Sequence, residues 1–118
     1  MIDSIRLYNH LNNGKPEYVM CAANWYDDGN DHSFQPYNID KGFVICGWRH
    51  SSIGSTYLAT VNTFAQGTGI TRWDDCIQGF LTNKNRFLTR AEALELVKSN
   101  GQLSKPLLGG ELTSEDLW

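Results

Sequence analysis

An α+β fold, a small and mostly antiparallel sheet with two helices packed on it in a single domain, is what the sequence predicts from three observations. Short runs rich in β-branched and aromatic residues are punctuated by turn signals, as strands are. A stretch after Ser51 and Ser52 repeats its apolar residues at helical spacing, and a second after Thr89 carries both start and stop signals.

The first strand is read over residues 18–26, YVMCAANWY, closed by the turn Asp27-Asp28-Gly29-Asn30. Residues 31–42, with Pro36, Asn38, Asp40 and Gly42, hold no steady period and read as a loop, with room for a short strand, that is a candidate lid. A buried strand follows over residues 43–46. Ser51 or Ser52 then caps a helix whose Ile53, Tyr57, Leu58, Val61 and Phe64 fall on one face. Residues 66–75 read as a loop, and a further strand starts near Cys76.

The last helix is the best specified. Thr89 and Glu92 form the Thr-x-x-Glu capping box, Leu88 and Ala93 take the staple positions around it, and Asn100-Gly101 is the stop. Turning 100° per residue gathers Ala93, Leu94, Leu96 and Val97 on one arc. The apolar Leu117 and Trp118 that follow are expected to dock on the body or on a second subunit.

Composition narrows the class. A chain of 118 residues, 41% hydrophobic and 19% charged, suits one domain over residues 1–118. Its apolar runs fall far short of the roughly 20 residues that cross a bilayer, and its first ten residues lack a signal pattern, so a cytosolic protein is expected. Cys21, Cys46 and Cys76 read as buried thiols. A formal charge of −3 disfavours long nucleic acid and leaves small anions held by local cations.

Three constellations are candidates for binding. At Gly47-Trp48-Arg49-His50-Ser51-Ser52 a glycine leaves a strand and two basic-type side chains precede a helix N-terminus, a setting that favours an anion. In Asn83-Lys84-Asn85-Arg86, with Phe87 beside it, Arg90 stands one turn into the helix, where the dipole disfavours a cation. Either a tail carboxylate (Glu111, Glu115 or Asp116) or a ligand phosphate is expected to answer it. The third is aromatic: Trp25, Tyr26, Phe34, Tyr37, Trp48 and Trp73, of which Phe34, Tyr37 and Trp73 are the loop members suited to stacking on a base. No catalytic motif, metal-ligand spacing or cofactor fingerprint stands out, and the aspartate pairs read as turn chemistry. A binding protein is expected rather than an enzyme.

The blocks CAANWY, GWRH, QGFLTNKNRFLTRAEA and NGQ, with the terminal SEDLW, resemble the Thoeris anti-defence sponge family of phages. That resemblance implies a compact α/β protein of the host cytoplasm that forms homo-oligomers, a dimer or a hexamer. It implies capture of cyclic ADP-ribose isomers near subunit contacts without cleavage, with cyclic oligonucleotides bound separately in some relatives. Arg49, His50, Arg86 and Arg90 are where it meets the reading of the residues; Asn83, Asn85, Phe87, Trp25, Phe34 and Trp73 complete the candidate ligand set. Two other classes stay open: a small nucleotide hydrolase or phosphodiesterase with His50 as acid or base and Arg49 stabilising charge, and a protein–protein inhibitor anchored by Leu117 and Trp118.

Overall fold

Each strand of the sheet is held by antiparallel neighbours whose apolar residues lie directly opposite one another. The computed structural model describes residues 16–60 and 76–118. Within them β1 (Val19–Tyr26), β2 (Phe43–Gly47), β3 (Ile77–Thr82) and β4 (Phe87–Thr89) form one sheet in the order β2-β1-β3-β4. Helix α1 (His50–Thr60) follows β2, helix α2 (Arg90–Asn100) follows β4, and a 3-10 turn (Ser114–Asp116) lies near the end.

The register decides what each face buries. Ala22 lies opposite Gly47 and Phe80, Tyr26 opposite Phe43, and Phe80 opposite Leu88, so these side chains share the helix-covered face. A register shift between Val19 and Cys21 brings Val19, three residues before Ala22, into the same buried layer. Two clusters result. Ala22, Tyr26, Phe43 and Ile45 pack on Ile53 and Tyr57 of α1, with the Tyr26 ring stacked on Tyr57 at 4.8 Å and on Phe43 at 5.4 Å. Val19, Phe80 and Leu88 pack on Ala93 and Val97 of α2 and on Leu112, flanked by Leu117 and Trp118. Burying each such large side chain stabilises by about 1.5–3 kcal/mol, and the tail therefore docks on its own body.

Helix α2 starts and stops where its signals stand. Thr89 accepts from the Glu92 N–H and Glu92 returns a bond to the Thr89 N–H, while Gly101 takes the left-handed conformation at φ 83°. Helix α1 differs from expectation. It begins at His50, with Arg49 in the capping position and its carbonyl accepting from Ser52 and Ile53, so Ser51 and Ser52 lie in the first turn instead of capping it. Ile53 and Tyr57 are buried as expected; Val61, Phe64, the loop over residues 66–75 and Trp73 lie outside the described residues.

Three further expectations are corrected. Phe87, Leu88 and Thr89 are expected only as a flanking ring, a staple and a cap, because three residues are too few to show a period, yet as β4 they close a hairpin with β3. Residues 31–42 hold no strand, and they are fastened down: the Trp25 indole donates to the Lys41 carbonyl at 2.8 Å, Gln35 accepts from the Val44 N–H at 2.7 Å, and Asn38 both donates to and accepts from the Phe87 backbone. Cys46 is exposed rather than buried, on the sheet face opposite the helices, and Cys21 and Cys76 are only partly buried.

Gly79 makes the hairpin possible. A Cβ there would stand 2.0 Å from the Leu88 carbonyl oxygen and 2.8 Å from the Phe87 ring, so β4 can lie beside β3 only with hydrogen at that position. Gly79→Ala is expected to cost at least about 3 kcal/mol in chemical denaturation, since backbone and not a flexible tip must move. Gly101→Ala, which meets nothing within 4 Å, is expected to cost only about 1 kcal/mol, from the left-handed backbone alone.

Candidate functional site

The two helices start at the same place on the sheet. His50, first residue of α1, is 8% exposed, and its Nε2 lies 2.8 Å from the Gly79 carbonyl oxygen, with the ring edge-on to Phe80 at 5.2 Å. An acceptor oxygen at Nε2 requires the Nε2–H tautomer. Gly79 pairs in turn with Thr89, the cap of α2. Burial pushes the His50 pKa below the ordinary histidine value; Arg90 nearby adds to this, while the Gly79 carbonyl and Glu115 oppose it. The ring is therefore neutral at pH 7.

Two arginines complete this junction. Arg90 donates to the Leu112 carbonyl and to the Gln78 side-chain oxygen, with Glu111 at 3.9 Å. Its expected carboxylate partner is thus the most distant of three acceptors. Arg49 donates to the Trp118 main-chain oxygen, lies over the Trp48 ring at 5.4 Å, and has its Nη1 buried without an acceptor among the described residues. Trp48 is 63% exposed and its ring sits 5.8 Å from that of Trp118. Guanidinium groups, indole faces and two helix N-termini in one region can hold an anion attached to a flat ring.

The other expected residues go elsewhere. Arg86 grips Glu17 with two bonds of 2.7 and 3.0 Å, and the Thr82 hydroxyl donates to the same carboxylate. The Arg86 bond, more than any other cause, holds the Glu17 carboxyl below the usual range, with a smaller contribution from Thr82. Asn83 accepts from the Tyr18 N–H and donates to the Pro16 carbonyl, pinning the chain ahead of β1. Asn85 takes the left-handed turn position at φ 55°, and its carbonyl accepts from Tyr37. Phe34 is fully exposed. The hairpin turn and Arg90 therefore do not form one anionic pocket.

Trp25 and Phe87 wall a separate cavity of about 350 Å³, with Asn38, Asp40 and Lys41 on one side and Thr89 and Glu92 at the start of α2. Their rings are 6.3 Å apart and tilted by 60°. Asp27, Asp40 and Glu92 outnumber Lys41 in the lining, so a phosphate is repelled there.

The sequence assigns no role to Glu17 or Gln78, and it sets Trp118 to dock on the body or on a second subunit rather than beside Arg49. Glu17 stands in no motif, and Gln78 only opens the block QGFLTNKNRFLTRAEA. Gln78 comes beside Arg90 through the pairing of Gly79 with Thr89, and Glu17 reaches Arg86 from the chain ahead of β1.

A family model described as phage T4 y16D protein matches residues 18–118. No curated protein and no solved structure matches the chain.

The Glu17–Arg86 pair has a definite pH signature. A carboxyl with a depressed folded-state pKa stabilises above its unfolded value, near 4.5, and that contribution disappears as pH falls through the folded value. Glu17→Gln is expected to lower stability by about 2 kcal/mol at pH 7, the worth of a charge-assisted bond. The variant also loses part of the acid-side slope of stability against pH, read by urea denaturation between pH 3 and 7.

Proposed function

The chain belongs to the phage T4 y16D protein family, and from that premise we propose that it is an immune-evasion protein that sequesters cyclic ADP-ribose-type signals in the host cytoplasm without cleaving them. The observation that carries this reading is the junction where α1 and α2 begin. It combines Arg49 and Arg90, a buried Arg49 Nη1 lacking an acceptor among the described residues, and the exposed Trp48 ring beside Trp118.

A cyclic ADP-ribose offers a diphosphate and a purine, which match guanidinium and indole in kind. Support also comes from the blocks QGFLTNKNRFLTRAEA and SEDLW, which resemble the sponge family. A second copy of the chain covering Trp48 would enclose the ligand and slow its escape, where most tuning of affinity lies. Cyclic oligonucleotides are a further candidate ligand class. His50 fits positioning better than proton transfer, because its Nε2–H is engaged by the Gly79 carbonyl and its ring is buried. That favours a binder over the hydrolase reading.

The test is a thermal-shift series with cyclic ADP-ribose isomers, followed by denaturation and chromatography of the released ligand. Ligand at a hundred times its Kd is expected to raise Tm by roughly 10 °C and to come off intact. Arg49→Ala and Arg90→Ala should each reduce the shift, with the unliganded Tm measured in parallel. A cleaved product, or no shift with any isomer, overturns the reading.

A further inference from the structure

We propose that the cavity between residues 38–41 and the start of α2 binds a small organic cation, an alkylammonium or guanidinium group, against the rings of Trp25 and Phe87. At about 350 Å³ it lies within the size range of small-molecule sites. Its aromatic walls are fixed in advance. The Trp25 indole donates to the Lys41 carbonyl, and Phe87 is held at both its N–H and its carbonyl by Asn38. Aromatic faces attract a cation through their quadrupole, and most strongly when the cation has shed water.

Carboxylates outnumber cations around these rings. Asp27, just after β1, accepts from the Gly29 N–H, and Glu92 accepts from the Thr89 N–H. Asp40 contributes from the loop. The cation of the lining, Lys41, is drawn to Asp31 at 2.9 Å, a residue outside the cavity wall. Three carboxylates thus surround a corner made by two rings, with the ammonium of the lining already paired. Both features select the same ligand class, and they exclude the anionic ligand proposed for the junction. The two sites therefore stand or fall separately.

Isothermal titration of the full chain with agmatine, which carries a guanidinium at one end and an ammonium at the other, tests this. Tetramethylammonium serves as the ring-only probe and sodium chloride at equal ionic strength as the control. Saturable one-to-one binding of agmatine is expected, weakened about tenfold or more by Asp40→Asn and by Glu92→Gln. Glutamine can still accept from the Thr89 N–H, so the melting temperature of Glu92→Gln should stay close to that of the parent and separate lost binding from lost fold. Heat that does not saturate, heat matched by sodium chloride, or an affinity unchanged in both variants overturns the proposal.

Discussion

The hydrogen bond from His50 to the Gly79 carbonyl is the contact on which the arrangement of this molecule turns. It ties the first residue of α1 to the third residue of β3, and Gly79 is also where β4 comes closest. A side chain at that position would collide with the Leu88 carbonyl, so one glycine sets both the hairpin and the seat of α1. Because Thr89 is its ladder partner, the start of α2 is placed by the same residue. The bond is buried, and burial both strengthens it and keeps the imidazole neutral. A charged ring at that depth would stand beside the Arg90 cation.

That geometry explains why the tail is folded back. Arg90 begins a helix, where its charge is disfavoured by the dipole, and it is answered mainly by the Leu112 carbonyl and the Gln78 amide oxygen. Asp116 organises the approach: burial pushes its carboxyl up, but the N–H groups of Leu108 and Thr113 and the Thr113 hydroxyl hold it below the usual range. Leu112 then seats in the α2 cluster, and Trp118 reaches Arg49 and Phe80. The cations of the junction are thus partly satisfied by main-chain oxygens, which are weaker partners than phosphate. The acidic corner at Trp25 and Phe87 presents the opposite sign. One small acidic chain therefore carries two environments of contrasting charge.

Much of this was legible in the sequence where the signal is local. The capping box at Thr89, the stop at Gly101, the strand over residues 18–26 and the Asp-rich turn after it depend on residues within a few positions of one another. Arg49 and His50, adjacent in the chain, are likewise legible as residues of a strand-to-helix junction, and they stand at one. What escaped depends on register. The Glu17–Arg86 pair joins residues 69 positions apart, β4 is three residues long, and the start of α1 at His50 reflects an anchor in β3 that no neighbouring residue announces. The candidate ligand residues were scattered for the same reason. Arg86 was drawn to Glu17, while Arg90, four positions on, was drawn to the tail.

The most direct test is an NMR titration of the His50 imidazole in the free protein, following its ring nitrogens across pH 4–8. The Nε2–H tautomer should be observed, neutral at pH 7, with a midpoint below the ordinary value of 6.5. The ring should also resist protonation until the junction itself loosens. A midpoint at or above 6.5, or the Nδ1–H tautomer, would contradict the claim that this buried bond holds the two helix starts together.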